Sequence, residues 1–494
     1  MNKITPLSIF VILGILFSLL FSSGQVENPD THLRLTQTRI YIDEGRIDLP
    51  KDVGEEMHGN IAIQGEKRCM VYNPGQSLVF IPIYTIAKLF FLDAGNVYYL
   101  AAFLVSFVNM LIHSLCGYLL YQICLNLGSN KKQSYVVALV FCFTSYSLLA
   151  AQSTYEHHFE MFFVLLSFLF GTSKKFRFNA LLAGIAISCG LVFRSTAIFV
   201  LPALLLLVKR GEMIKFFIGL TPGIGVVLLY NFLRFQNIFE NGYDCAWAIA
   251  NGQDIEFWSL CRAPMNLFGL MISPAKGLLI FSPTVFLGLF YFRKFLQFNR
   301  KMAFATIVLV LTYLGVFAMN FAWHGSIWSF GPRYILPIVP FLYLPLIHIK
   351  LNRCFLGFFI LVFLGQILLM SVNYKRSLLS AYTKKGPINE VQYIYDLNNV
   401  PYLSQFRQLQ VILPMNLNGV FFNYFPIEPW KKEVRTGPNE VLLKNSLEKT
   451  SVNFWWIRVF HERNNSLEKT LSLLLFYVVF WGSYLVVLKV KRYA

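Results

Sequence analysis

Apolar residues in this chain come in blocks rather than in rows. A soluble amphipathic helix shows its apolar side chains at a period of 3.6, with polar residues between them. Here whole stretches are apolar all round, at the ~20 residues that a bilayer's hydrocarbon core demands. The blocks fall near 4–23, 97–125, 133–151, 157–172, 178–193, 195–208, 212–232, 277–293, 302–321, 334–350, 354–373 and 471–489. They predict an all-α integral membrane protein of about 12 transmembrane helices. The weakest division is between 178–193 and 195–208, which a window of ~19 residues barely separates. Lys3 and Ser22-Ser23-Gly24 flank the first block as they would in a signal peptide. That block exceeds the ~7–15 residues of a signal h-region and more blocks follow, so it reads as a retained first span.

Composition agrees: 56% of the 494 residues are hydrophobic and 14% charged, too apolar for a soluble multidomain protein. Charge then sets the orientation. Lys131-Lys132, Lys174-Lys175 with Arg177, Lys209-Arg210, Arg293-Lys294 with Arg300-Lys301, Lys350 with Arg353, and Lys489 with Lys491-Arg492 all fall at alternate ends of the blocks. The positive-inside rule puts those loops in the cytoplasm. For this alternation to close, residues 76–92, interrupted by Pro82, must lie on the outer surface as an interfacial helix rather than cross. Much of the +18 net charge sits on the inner loops, where it serves topology and lipid headgroups and gives no sign of a nucleic-acid partner.

The long polar segments then share the outer face: 24–75, Ser153 to His158, 233–275, 322–333 and 374–470. Three units follow, namely a transmembrane catalytic module over 1–373, an outer extension over 374–470, and a last helix with a basic tail over 471–494. Of eight cysteines, five lie in blocks and read as buried apolar residues, while Cys69, Cys245 and Cys261 lie outside. Cys245 and Cys261 share one outer loop and are either bridged or separate thiols. The absence of CxxC or a His/Cys cluster argues against structural zinc. Asn-Ser-Leu-Glu-Lys-Thr at 445–450 and 465–470 reads as a local duplication or a helix-start coincidence, not as an architecture. The run Val452-Asn453-Phe454-Trp455-Trp456 reads as an interfacial aromatic belt, with a sugar-stacking platform as the alternative.

Candidate chemistry gathers on the outer segments. In Asn28-Pro29-Asp30-Thr31-His32, Asp30 is either the N-cap of a helix running through Leu33, Leu35, Ile40 and Ile42 or a general base held at the membrane surface. Glu156 and Glu160 stand four apart on one helix face, and Glu160 lies about one turn into a span, where an acid calls for a partner. His157 and His158 are adjacent and point to different faces, which disfavours metal ligation. Arg333, in Trp323-His324-Gly325-Ser326 through Gly331-Pro332-Arg333-Tyr334, is placed to clamp a phosphate or to anchor the chain at the lipid interface. Lys276, in Ser273-Pro274-Ala275-Lys276-Gly277, either joins it or snorkels.

The order of these motifs carries a resemblance. Asp30 after the first span, Tyr72-Asn73-Pro74-Gly75 before the interfacial helix, the Glu156 turn, Asn231-Phe232-Leu233-Arg234-Phe235 with Gly242-Tyr243, Ser-Pro-Ala-Lys-Gly at 273–277 and Gly-Pro-Arg-Tyr at 331–334 together look like GT-C membrane glycosyltransferases. They are most similar to bacterial members of the protein O-mannosyltransferase and aminoarabinose transferase group, over roughly residues 1–373. The resemblance implies a GT-C-like fold and an inverting transfer of a sugar from a polyprenyl-phosphate carrier to an acceptor hydroxyl. It assigns Asp30 as catalytic base and Glu156 as the acidic residue of the second outer loop. Arg333, Lys276 and His324 would bind the donor phosphate, and Tyr72, Glu160 and Tyr243 would line the substrate. It also implies the inner (cytoplasmic) membrane, with the site facing the periplasm or exterior. Protein mannosyltransferases carry Asp-Glu where this chain has Asp30-Thr31, so the acceptor, whether glycan, lipid or protein, stays open. No cofactor is certain, and a divalent cation stays open although nothing in the pattern indicates one. A lipid-linked saccharide transporter or flippase would also account for the spans, and a polysaccharide polymerase or ligase would share the donor chemistry.

Overall fold

The computed structural model describes residues 5–51, 53, 60–173, 178–246, 256–325, 329–374, 390–417 and 452–457. Within these, four helices are long and apolar enough to cross a membrane: Ala94–Asn126 (α4), Arg210–Phe235, Arg300–Met319 and Arg353–Met370. A fifth span results if Lys131–Thr144 (α5) and Tyr146–Gln152 (α6), bent by 50° at Ser145, count as one. The chain is a multi-pass membrane protein on that ground. Shorter apolar helices fill most of the other expected blocks, among them Pro6–Phe21 (α1), His157–Thr172 (α7) and Asn179–Phe193 (α8). The expected last span, 471–489, lies outside the described residues.

Proline breaks two further expected spans. The block at 277–293 divides into Leu278–Phe281 and Val285–Phe298 around Pro283. The block at 334–350 becomes a run of 3-10 and α turns from Arg333 to His348 carrying Pro337, Pro340 and Pro345, each of which removes a backbone donor from the ladder. Where helices must approach closely, glycine permits it. Against α8 lies Met213–Phe235, with Gly219 and Gly223 four residues apart; an added Cβ on Gly219 would stand 2.3 Å from the Leu181 carbonyl oxygen, and one on Gly223 2.0 Å from that of Ser188.

An all-α reading needs one correction. Ile61–Gln64 (β1) and Lys67–Met70 (β2) pair antiparallel, with Ile61 opposite Met70 and Gln64 opposite Lys67. The loop between them is Gly65-Glu66, and Gly65 takes φ 61°, the positive value that a two-residue hairpin turn of type II′ needs at its first position. This hairpin covers the polar helix Pro29–Asp43 (α2) by an apolar patch that includes Leu33, Ile40, Ile61 and Met70. The helix Gly75–Phe90 (α3) lies along α2: Ser77 Oγ donates to the Arg34 carbonyl at 3.1 Å, and Lys88 pairs with Asp43 at 2.6 Å.

Two ends of the bundle are distinguishable. At one, the ends of α1, α6 and Arg353–Met370 meet at Gln152, whose amide donates to Phe21 O (2.8 Å) and Met370 O (3.2 Å). At the other, Lys301 donates to Leu207 O at 3.0 Å and Phe298 stacks edge-on to His348, which brings together the basic segments near Lys209, Arg300 and Lys350. Val452–Ile457 returns to the first end. There the Trp455 and Trp456 indole N–H groups donate to Leu19 O (2.9 Å) and Leu20 O (3.0 Å), carbonyls in the last turn of α1 that have no intrahelical partner. This aromatic pair is therefore a helix cap. Cys245 and Cys261 are separate free thiols; Cys245 donates to Ile63 O on the hairpin at 3.2 Å, while Cys261 stands exposed on the Leu260–Arg262 turn.

Candidate active site

Asp30 does not cap its helix. Asn28 does, accepting from Thr31 N at 2.8 Å, with Pro29 at the first helical position and Asp30 in the first turn. The Asp30 carboxylate is thus available for another partner, and finds one 303 residues on: Arg333 Nη1 lies 3.1 Å from its Oδ2, with the two side chains 10 and 11% exposed. Arg333 in turn stacks on Tyr155, its guanidinium carbon 4.0 Å from the ring centroid.

The other two expected phosphate ligands stand beside Arg333. Lys276 does not snorkel: it is buried and turned inward, donating to Ser329 Oγ at 3.3 Å and to the Ser329 carbonyl. His324 shares its electrostatic surroundings with both; burial, Lys276 and Arg333 push its pKa down to about 3. At neutral pH it is an uncharged imidazole, so it can donate a hydrogen bond to a phosphate but cannot neutralise one.

Glu156 occupies a second, connected cluster. It is ion-paired with Arg34 at 2.9 Å and accepts a hydrogen bond from Arg194, all three being largely buried. Burial alone would raise its pKa, but Arg34 and Arg194, helped by His157 and Arg333, hold it well below the usual carboxylate range. Glu160 meets Arg194 Nε at 3.1 Å, Thr196 Oγ1 at 2.7 Å and Tyr313 Oη at 3.1 Å, the partners its depth called for. Pairs of this kind add little net stability, yet deleting one partner costs about 3–5 kcal/mol because the other is left charged in the interior.

A strained turn fixes both clusters to each other. Thr154 has φ 57°, an outlying conformation for a β-branched residue. Its carbonyl accepts from Thr31 Oγ1 (3.0 Å) and Gln76 Nε2 (2.8 Å), and its hydroxyl from Asn28 Nδ2 (3.1 Å). The kink turns Tyr155 towards Arg333 and Glu156 towards Arg34.

Among the weaker expectations, Tyr72 is in the site: Arg34 stacks on its ring at 3.9 Å, and burial together with the adjacent Asp30 carboxylate raises its phenol well above its ordinary value. Tyr243 is 37% exposed and senses Arg194, Glu156 and Tyr334 rather than Asp30. Arg234, which the Asn-Phe-Leu-Arg-Phe motif emphasised, is structural; it donates to Tyr72 O at 3.1 Å and to Asn231 Oδ1 at 2.7 Å, tying the hairpin exit to the end of Met213–Phe235. The adjacent histidines do diverge, His157 stacking on Tyr334 and His158 bonding the Ser147 carbonyl at 2.9 Å. Arg194 escaped the sequence reading. Its signal was present, since a lone arginine between two apolar blocks demands a partner as strongly as Glu160 does.

The arrangement is a carboxylate and three potential phosphate ligands at one end of a helical membrane bundle, flanked by an arginine–glutamate network. No family model matches the chain, and no curated protein matches it. Among solved structures, the oligosaccharyltransferase of Archaeoglobus fulgidus in its apo form is similar at a TM-score of 0.46 and 11% identity, over 81% of this chain and 61% of that one. The chain thus spans less than two thirds of that protein's length.

Proposed function

We propose that this protein is a membrane glycosyltransferase that moves a sugar from a polyprenyl-phosphate carrier to an acceptor hydroxyl in a single inverting displacement, within a GT-C-like bundle of about 12 spans. The observation that carries the reading is the ion pair of Asp30 with Arg333, near a His324 that feels both Arg333 and Lys276, a base next to cations that would receive a leaving phosphate. Asp30 would take the acceptor's hydroxyl proton as that oxygen bonds to the anomeric carbon. The bond from that carbon to the phosphate oxygen breaks, and its electron pair leaves with the phosphate, stabilised by Arg333 and Lys276. Glu156 would act by holding Arg34 and Arg194, and Tyr72 by bonding Asp30. Residues 1–373 would be the catalytic module, seated in the inner membrane with the site on its outer face. No step calls for a metal.

The bend between α5 and α6 favours a second reading, since transporters build their sites at broken helices. One experiment separates the two: purified protein is offered synthetic prenyl-phosphate sugars and release of prenyl phosphate is followed. Asp30→Asn should cut turnover by ~10²–10⁴, the usual contribution of a general base. Transport of the lipid-linked sugar without release, or near wild-type release by a folded Asp30→Asn protein, would refute the transferase mechanism.

A further inference from the structure

The Arg333 guanidinium is enclosed on the sides a phosphate would otherwise use. One face lies on the Tyr155 ring at 4.0 Å. Its Nε edge abuts Gly325, held at φ 66°, where an added Cβ would stand 2.9 Å from Nε and 2.7 Å from Cγ. Among the described residues, Nε is buried there without a hydrogen-bond partner. That leaves, among the described residues, the terminal end of the fork, where Asp30 Oδ2 already holds Nη1 at 3.1 Å. A phosphate reaching this arginine arrives where the carboxylate sits.

We propose that Asp30 and the donor's phosphate are competing ligands of Arg333, so that the resting protein keeps its base locked in an ion pair and donor binding releases it. The inference rests on the glycosyltransferase reading and adds an order to it: phosphate takes the guanidinium first, and only then is the carboxylate open to the acceptor's proton. Arg194 holds two carboxylates because its Nε and terminal edges are both open; on Arg333 the Nε edge is closed against Gly325, so a phosphate would share the terminal end with the carboxylate, and two anions crowded there repel each other strongly in a site screened from water. The exchange leaves the fold intact because Asn28, not Asp30, caps the helix. Once released, the carboxylate still lies in the first turn of α2, where the helix dipole favours an anion, and beside the Tyr72 hydroxyl.

The test is a double-mutant cycle on the affinity of the full-length protein for a synthetic prenyl phosphate, the sugar-free product, measured in lipid nanodiscs. If pairing with Asp30 leaves roughly a tenth of Arg333 open to the ligand, Asp30→Asn binds about tenfold tighter than wild type. The same change made on an Arg333→Gln background has no effect. Equal tightening on both backgrounds would reduce the effect to diffuse repulsion, and no tightening on either would place phosphate and carboxylate on separate edges; both results overturn the exchange. Failure of wild type and Asp30→Asn alike to bind prenyl phosphate removes the transferase reading itself, and the exchange with it. Each variant is checked by its thermal unfolding, and Asp30→Ser completes the cycle if the amide does not fold.

Discussion

Burying a histidine neutral next to two cations has a consequence for acid stability. With its folded pKa pushed down to about 3, His324 protonates in the unfolded chain before it does in the native one. Its contribution is therefore full above pH ~6.5 and is lost as pH falls from there towards 3, amounting to a few kcal/mol by linkage. Glu156 has the same sign through the opposite charge: its carboxylate, held low by Arg34 and Arg194, stabilises the fold above its unfolded value and loses that contribution only in stronger acid. Thermal unfolding of His324→Asn should thus fall less steeply than wild type between pH 6.5 and 4.5. Parallel curves for the two proteins would show that His324 is not buried neutral. His324 and Glu156 were visible as candidates in the sequence, since ionisable groups on the polar segments of an apolar chain are few, whereas Arg194, between two apolar blocks, was passed over. The pairing of these groups was not visible: nothing along the chain says that Asp30 turns to Arg333, or that Glu156 is claimed by Arg34 and Arg194. Those choices depend on a threonine adopting a glycine's backbone angle at position 154.

Apolar length marked where helices form, four of them long enough to cross a membrane among the described residues, but not where they break or what a distant partner sets. The α2 helix, the broken proline-rich stretch after Arg333 and the pair at Gly219 and Gly223 all carry local signals of propensity or packing. The hairpin at 61–70 carried one too, in Gly65, but its strands are four residues each and lie in a segment read for chemistry rather than periodicity. Val452–Ile457 is the clearest case of a role invisible locally. Asn453 donates to Glu27 Oε1 at 2.6 Å, its N–H donates to Ser371 O at 2.8 Å, and its carbonyl accepts from Gln152 at 3.1 Å, so one residue joins three helix ends three positions before Asp30 is reached. Trp455→Phe removes the indole donor to α1 and part of the ring packed against Phe103 and Phe107, and should cost at least about 1 kcal/mol of stability with turnover kept. Asn453→Leu withdraws a donor from a buried carboxylate, should cost about 1.5–3 kcal/mol, and should also lower turnover by displacing the Glu27–Asp30 turn. Thermal unfolding and prenyl phosphate release measured on both variants decide it; equal loss of turnover in the two would make this segment a plain stability element.

At the scale of the whole molecule, helix polarity links the site to the membrane. Arg300–Met319 leaves the basic end at Lys301 and arrives at Asn320, where the Phe321 N–H donates to Phe257 O at 3.0 Å and Asn320 O accepts from Asn266. The loop carrying Cys261 therefore lies with the site. Arg353–Met370 runs the same way, from Cys354 beside the basic loops to Met370 at Gln152. A 20-residue helix spans ~30 Å, a full hydrocarbon core, so the two exposed cysteines should lie on opposite sides of the bilayer. Two further thiols extend the test to the segments expected to share the outer face: Glu66→Cys at the hairpin tip, and Leu397→Cys, exposed in the 374–470 segment. A membrane-impermeant thiol reagent applied to intact cells should reach Cys261 and both introduced cysteines, and spare Cys354 until the membrane is opened. If α3 crossed instead of lying along α2, the hairpin would fall on the other side from Cys261. Labelling of Cys261 without Glu66→Cys would then report it, and would separate Asp30 from Arg333 by a membrane, which no transfer between them could survive.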